Sequence, residues 1–376
     1  MTSEIKIITP TSRRDKKRFL LFPWEIYKND PYWIPPLLVN EKGLLGYAKD
    51  PFYEENQIQT FLAERDGKVV GRIAAILNVG HLERYGDKVG FFGFYESVDD
   101  QAVADALFAA ASDWLKERGC ETMRGPANPS LNHTVGLLIE GFDSSPFFMM
   151  TYNPAYYERL FENVGLAKSQ DMYAYWGEID MLPKVRERYL RTAEMIQERY
   201  DVKLRPLDKK HFEADVRMFL EIYNRSLSNT WGFVPFSDAE LRATAASMKY
   251  LMVLELAMVA EIDGKPAGVT FCLPDYNPRI KAINGRLFPF GFWKLLRKRS
   301  EIKRMRIIST NVLPEYQMTG LGLVLLNALV PKTLECGVQE AEFSWVLESN
   351  QYSRGSLEKG GAVRNKTYRV YDKKIA

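Results

Sequence analysis

The chain has 376 residues, 46% hydrophobic and 26% charged, a globular composition long enough for roughly two domains, and its net charge of +3 is too small to imply nucleic acid as a partner. Cys120, Cys272 and Cys336 lie far apart without Cys-x-x-Cys or Cys/His spacing, a pattern of reduced thiols rather than a disulfide framework or zinc site. The first residues lack an apolar signal core and no run of about 18 apolar residues occurs, so a soluble, cytoplasmic protein is expected, free to sit on a membrane face.

Residues 4 to 8 alternate as a strand, and a helix begins at Ser12, is kinked or stopped at Pro23 and is over by Asn29-Asp30-Pro31. Phe61 to Glu64 and Val69 to Leu77 flank the turn Asp66-Gly67-Lys68 and read as a hairpin, followed by a third strand from Val89 to Ser97. A helix from Gln101 to Arg118 is capped by Asp99-Asp100 and ended by Gly119. Three carboxylates at its start, Glu96, Asp99 and Asp100, stabilise a helix N-terminus and repel a pyrophosphate. The stretch from Gly125 to His133 is turn-rich; its Asn132 and His133 either make turns or line a pocket, with His133 able to act near neutral pH. Asn153 to Leu166 reads as an amphipathic helix closed by Gly165.

Lys184 to Tyr200 is expected as a connecting helix, after which the element order restarts. A strand at Val202 to Pro206, helices from His211 to Leu227 and Asp238 to Tyr250, and a hairpin around Asp263-Gly264-Lys265 repeat the first half, as a tandem fold would. Between the two helices, Asn229 to Phe236 is an aromatic loop whose Trp231 and Phe236 can pin it to the core. Arg279 to Arg306 then interrupts the fold with ten Lys or Arg against one Glu, interleaved with Phe288, Phe290, Phe292 and Trp293. This suits an interfacial helix at anionic lipid, a lid over an apolar chain, or a basic helix packed on the core by its apolar side; nucleic acid is not expected.

Ile307 to Gly322 runs from a strand into a glycine loop and straight into a helical pattern with Leu323, Leu326, Leu329 and Val330 on one side. Glycines allow close backbone approach, and the unpaired N–H groups of a first helical turn attract anions, phosphates above all. The alternative is a plain strand-to-helix turn.

The motif Q-x-x-G-x-G, here Gln317, Gly320 and Gly322, follows a strand ending Val312-x-Pro314-x-Tyr316 and resembles the pyrophosphate-binding segment of the GNAT superfamily of acyl-CoA N-acyltransferases. The resemblance implies an α/β (α+β) fold of two tandem GNAT-like domains, each a mixed, mostly antiparallel sheet flanked by helices. Residues 1–180 would form a first domain with a degenerate CoA site, 181–200 a connecting helix, and 201–376 a second domain holding the CoA-binding loop and the basic insertion. It also implies that the backbone of Val312 and Leu313 pairs with the pantetheine arm, while Gln317, Met318, Thr319, Gly320, Leu321 and Gly322 cradle the pyrophosphate. Asn350 would hold the thioester or the pantetheine at a helix start, and Glu348 is the nearest carboxylate able to take the amine proton. Many members place a leaving-group acid, Tyr, where this chain has Leu357, and spacing does not choose a substitute among Tyr352, Tyr368 and Tyr371. Asn132, His133, Asn224 and Trp231 are candidates for the acceptor pocket.

The stretches Gly285 to Gly291, Trp345 to Asn350 and Lys366 to Tyr371 are similar to those of bacterial tandem GNAT-like proteins whose relatives look like bacterial ceramide synthases. The implied activity is transfer of an acetyl or longer acyl group from CoA to an amine, a long-chain sphingoid-type amine among the options, without a metal. The alternative is a tandem binding module for acyl-CoA, lipid or peptide without turnover. Partners are then a small-molecule or lipid amine and, through 279–306, the inner membrane face.

Overall fold

The computed structural model describes residues 4–376, apart from the side chains of 182–186 and 300. The chain forms two compact units: Met1–Met172 with Asn277–Leu295 and Lys366–Ala376, and Tyr173–Tyr276 with Leu296–Asn365. A division in chain order, as expected from the sequence, assigns 277–295 and 366–376 to the second domain; by contacts both segments group with unit 1.

Unit 1 begins with β1 (Lys6–Ile8) and three short helices, α1 (Arg13–Leu21), α2 (Pro23–Ile26) and α3 (Leu38–Leu44). The antiparallel strands β2 (Gln57–Arg65) and β3 (Lys68–Leu77) follow, then α4 (Val79–Tyr85), β4 (Val89–Ser97) and α5 (Gln101–Lys116). Strand β5 (Thr122–Gly125) returns parallel to β4, and three short strands β6 (Ala127–Asn128), β7 (Thr134–Val135) and β8 (Leu137–Glu140) precede α6 (Tyr156–Asn163) and β9 (Ala167–Glu178). The core lies between the sheet and α5 and α6: Phe92, Phe108 and Phe161 meet edge to face with centroids 5.1 to 5.6 Å apart. Tyr371, from the far end of the chain, packs on Phe161 at 5.6 Å.

Unit 2 takes in the end of β9 from Tyr173 and then α7 (Leu182–Arg199), whose Ala193 is buried in one cluster with Val202, Ala260, Leu321 and Val324. Next come β10 (Lys203–Pro206), α8 (Phe212–Ser226), α9 (Asp238–Leu251) and the hairpin β11 (Ala257–Ile262) and β12 (Lys265–Pro274). Ser237 starts α9 with a reciprocal cap: its Oγ accepts from the Glu240 N–H at 3.3 Å, and Glu240 Oε2 accepts from the Ser237 N–H at 2.8 Å. The insertion supplies α10 (Asn277–Ala282) and α11 (Gly291–Leu296), after which β13 (Arg304–Val312) pairs antiparallel to β12, and α12 (Leu321–Glu335) leads to β14 (Glu340–Leu347), parallel to β13. Finally α13 (Gln351–Lys359) precedes β15 (Val363–Lys374), whose later part pairs with β5 of unit 1, from Tyr371 opposite Gly125 to Lys374 opposite Thr122. This is the mixed, mostly antiparallel architecture flanked by helices that the sequence implied. In such a layout the last strand of one repeat completes the sheet of the other, which a chain-order reading misses because it is a long-range pairing.

In unit 1 the parallel ladder of β4 with β5 ends at Phe91 opposite Arg124, although β4 continues to Ser97. The strand carries an extra residue there, with Phe94 at φ 50°, and bends away. The opening is filled by the protein's own chain: Asn128 Oδ1 accepts the Phe94 N–H at 2.6 Å. Gly93 makes the approach possible, since a Cβ there would lie 1.8 Å from the Ala127 carbonyl oxygen. Gly93→Ala is therefore expected to displace the β6–β7 turn and to destabilise the protein by about 1–3 kcal/mol, the usual cost of overpacking. Denaturant unfolding followed by circular dichroism measures it.

Candidate active site

Unit 2 repeats the divergence of strands. Its β13–β14 ladder runs from Arg304 opposite Glu340 to Ile307 opposite Phe343 and stops, while the strands continue to Val312 and Leu347. A bulge marks the point: Phe271 pairs with Ser309 and Cys272 with Ile307, so Ile308 is the extra residue that bends β13. A buried polar cluster holds the fork. Arg306 donates from Nε to Ser344 Oγ at 2.8 Å and from Nη2 to the Ser344 carbonyl at 2.9 Å, and Ser344 Oγ donates to Glu342 Oε1 at 2.6 Å.

Beyond the fork, alternate backbone groups of β13 face the gap. Leu313 donates its N–H to Ala267 at 2.9 Å and its carbonyl accepts from Tyr316 at 2.8 Å, so both groups of Leu313 are engaged within the protein. By the alternation of an antiparallel ladder, Val312 and Thr310 turn their backbone toward the gap instead. Gln317 Nε2 reaches back to the Val312 carbonyl at 3.2 Å and to the Ser226 carbonyl at 3.1 Å, closing a tight turn over Pro314–Thr319. The role of Gln317 is thus to shape the turn.

Gly320 takes φ 87° and starts α12, and Thr319 Oγ1 accepts the Leu321 N–H at 3.3 Å. A Cβ on Gly320 would meet Ile196 Cδ1 of α7 at 2.6 Å, so this glycine is required by the fold itself. Gly322 differs: its Cβ would have only ordinary contact, 3.7 Å to Thr310 Cγ2, and its N–H is one that a helix start leaves without an intrahelical acceptor. Met318 projects into solvent, and Leu321 is buried in the core beside Val324. Of the six loop residues, Gly322 has room beside it for close backbone approach, whereas the Leu321 side chain serves packing.

At the end of β14, Glu348 is half-buried and accepts from Tyr173 OH at 3.3 Å. Its carbonyl accepts from Arg354 Nη1 at 2.8 Å, and the guanidinium groups of Arg354 and Arg364 lie over the Tyr173 ring at 5.0 and 4.8 Å. Asn350 caps α13 with Oδ1 accepting the Ser353 N–H at 3.0 Å, which leaves its Nδ2 as the group able to donate elsewhere. Tyr352 is exposed on α13, while Tyr368 and Tyr371 are fully buried in unit 1. Sequence reading missed Tyr173 because it lies 175 residues from Glu348, with no spacing signal between them.

Opposite α12, helix α8 and the loop after it form an aromatic wall. Tyr223 meets Phe233 at 5.7 Å and Phe236 at 5.9 Å, and Phe219 meets Phe271 at 5.2 Å; Trp231 sits half-buried in the same loop. Asn311 donates from Nδ2 to Ser226 Oγ at 2.8 Å, yet its buried Oδ1 has no partner, nor have Ser309 Oγ and Asn224 Oδ1. Ser309 and Asn311 went unnoticed in the sequence because small polar residues in a strand carry no pattern. Asn132 and His133 belong to unit 1, where His133 Nδ1 meets Ser130 Oγ at 2.8 Å and its ring stands edge to face with Phe52 at 5.6 Å. Burial pushes the His133 pKa down to about 4, so the ring is neutral at physiological pH. Among the described residues no group of three or more His, Cys, Asp or Glu is arranged to hold a metal ion.

A forked strand pair that occurs once in each unit, in unit 2 beside a glycine turn and a helix N-terminus, is the architecture of a tandem GNAT acyltransferase. Residues 216–361 match the acetyltransferase (GNAT) family. The chain is 36% identical to protein YghO of Escherichia coli, covering 97% of this chain and 94% of that protein. It is 35% identical to the bacterial ceramide synthase of Caulobacter vibrioides, covering 99% and 98%. Among solved structures, a tandem GNAT protein from the clavulanic acid biosynthesis pathway matches over 99% of both chains with TM-score 0.57 at 14% identity. A GCN5-related N-acetyltransferase from Sphaerobacter thermophilus matches over 99% of this chain and 96% of that one, with TM-score 0.54 at 14% identity. The chain belongs to the GNAT acyltransferase family, whose fold generally uses acyl-CoA as co-substrate. No described helix is long and apolar enough to cross a membrane.

The carboxylates expected to repel CoA in unit 1 have separate roles. Asp100 caps α5 by accepting the Ala102 N–H at 2.9 Å and pairs with Arg65 at 2.7 Å, and Asp99 pairs with Arg159. Glu96 turns inward: Tyr27 OH and Tyr157 OH each donate to its Oε2 at 2.8 Å, and Arg72 Nη2 stands 3.8 Å from Oε1. Burial dominates these contacts and pushes its pKa up to about 7. A raised carboxyl pKa contributes stability that is complete below the unfolded value, about 4.5, and is lost as pH rises through about 7. Glu96→Gln is therefore expected to flatten the fall of melting temperature between those pH values. Glu41, raised in the same direction by burial, keeps the remainder.

Proposed function

We propose that unit 2 binds an acyl-CoA and transfers its acyl group to an amine by direct attack. The open fork between β13 and β14, with the Gln317–Gly322 turn at its mouth, is the observation that carries this reading. Backbone N–H groups of the diverging strand polarise the thioester carbonyl, the amine nitrogen bonds to that carbon as its proton passes to Glu348, and the C–S bond breaks to release CoA. Tyr173 positions Glu348, and Asn350 Nδ2 holds the thioester or the pantetheine. The aromatic wall with Trp231, Asn224, Ser309 and Asn311 receives the acceptor: apolar rings suit a long-chain amine, and the unpartnered oxygens suit its N–H groups. The similarity to a bacterial ceramide synthase supports a sphingoid-type amine and a long acyl chain. CoA binds unit 2 alone, because the corresponding opening in unit 1 is filled by Asn128 and the β6–β7 turn. A contact of residues 279–306 with the inner membrane face, by a cytoplasmic protein, belongs to the same reading.

Leu357 at the usual leaving-group acid favours a second reading, a binding module without turnover. Release of free thiol from acyl-CoA with pooled long-chain amines supports the enzyme; CoA binding without release supports the module. Gly322→Val is a cleaner probe of the loop than a change at Gly320, because it strains neither φ nor Ile196. Calorimetry is expected to show CoA affinity falling by about tenfold or more with an unchanged melting temperature; equal affinity removes the loop from the site. Glu348→Gln is expected to lower kcat with CoA affinity retained, the loss shrinking toward high pH, where the free amine needs less help. A pH–rate profile of both proteins checks it.

A further inference from the structure

The insertion is a fastened knob with an exposed aromatic tip. Its inner side is fastened within unit 1: Asn277 Nδ2 donates to the Pro146 carbonyl at 2.7 Å, Trp24 Nε1 to Asn284 Oδ1 at 2.6 Å, the Leu38 N–H to the Gly285 carbonyl at 3.0 Å, and Lys281 to the Pro31 carbonyl. Two glycines fix the path. A Cβ on Gly285 would lie 2.2 Å from the Pro36 carbonyl oxygen and one on Gly291 would lie 1.9 Å from that of Arg286. Between and just after these glycines, Phe288, Phe290, Phe292 and Trp293 are 77, 73, 47 and 59% exposed. The knob is held in place, so this exposure is a property of a built surface rather than of a loose loop.

Charge decides what that surface meets. Residues 277–295 contain four cations and no Asp or Glu, with Arg286 and Lys294 exposed beside the rings. Much of the remaining positive charge of 279–306 is engaged within the protein. Arg306 is buried on Ser344, Arg304 stands 3.6 Å from both Asp275 and Glu340, Lys298 pairs with Glu301 at 2.8 Å, and Arg299 donates to the Met252 carbonyl at 3.3 Å. The ten-cation footprint expected from the sequence is therefore reduced to a few charges around an apolar tip. Clustered Phe and Trp with a rim of cations and no acid complement an anionic bilayer surface, where rings sit at the headgroup boundary and cations meet the lipid charge.

We propose that the Phe288–Lys294 tip of unit 1 docks the protein on membranes containing anionic lipid, with ring insertion as the main attraction and Arg286 and Lys294 as its electrostatic complement. This deepens the membrane-face part of the proposed function and rests on it for the choice of lipid as partner. Binding is read without CoA or amine, so its failure and the failure of the acyltransferase reading are separate results.

Sedimentation of the full chain with phosphatidylcholine vesicles, with and without one third phosphatidylglycerol, tests it. The protein is expected to pellet with the anionic vesicles and to retain part of its binding at about 1 M salt, where the Debye length is about 3 Å. Phe288→Ser with Phe290→Ser is expected to lower the partition by about tenfold or more, with the melting curve unchanged because both rings are exposed. Arg286→Gln with Lys294→Gln is expected to weaken binding to anionic vesicles alone. As a measurement independent of the serine variants, vesicles should shift to the blue the part of the tryptophan emission that Trp293→Phe removes. Absence of binding to anionic vesicles at low salt, or equal partition of the wild type and the aromatic variant, overturns the proposal.

Discussion

The end of a parallel strand ladder is the constraint on which the candidate site in unit 2 depends. Two strands that pair from Arg304 to Ile307 and then part leave backbone groups of Thr310 and Val312 facing a gap. Parting strands expose polar backbone, which costs free energy unless something specific holds the fork. Here the Arg306–Ser344–Glu342 cluster holds it from one side and the Ile308 bulge turns β13 from the other. Buried ionic groups of this kind are weak contributors to net stability, but breaking one partner leaves the other uncompensated, so they define a geometry sharply.

Unit 1 meets the same constraint differently. Its ladder also ends early, at Phe91 opposite Arg124, and its β4 also bends at an extra residue. There the exposed backbone is satisfied internally, by the Asn128 side chain on the Phe94 N–H, with Gly93 leaving room for the crossing chain. One repeat fills its opening with its own residues, while in the other the strands part beyond Ile307 and Phe343.

The two units also exchange chain. Residues 366–376 and the insertion 277–295 group with unit 1, and Tyr173, close after the first repeat in sequence, supplies the hydroxyl beside Glu348 in unit 2. Consequently the hydroxyl that donates to Glu348 comes from β9, the strand that follows α6 of unit 1. The insertion likewise arises between two strands of unit 2 and presents its aromatic tip from unit 1.

The sequence by itself determined the local elements and the loop. Hairpin turns at Asp66-Gly67 and Asp263-Gly264, the Ser237 cap and the strand–glycine–helix order are short-range matters, fixed by turn chemistry and periodicity within a few residues. It also marked Gln317, Gly320 and Gly322, though only the structure separates their roles: a side chain that closes the turn, a glycine demanded by φ and by Ile196, and a glycine with room beside it. Tertiary structure alone decided which strand completes which unit, that α7 packs on the core of unit 2, and that Tyr173 meets Glu348. It decided too that His133 is held neutral by burial and that most cations of the insertion are already engaged. These depend on which distant segments share a desolvated space, and neither spacing nor composition encodes that.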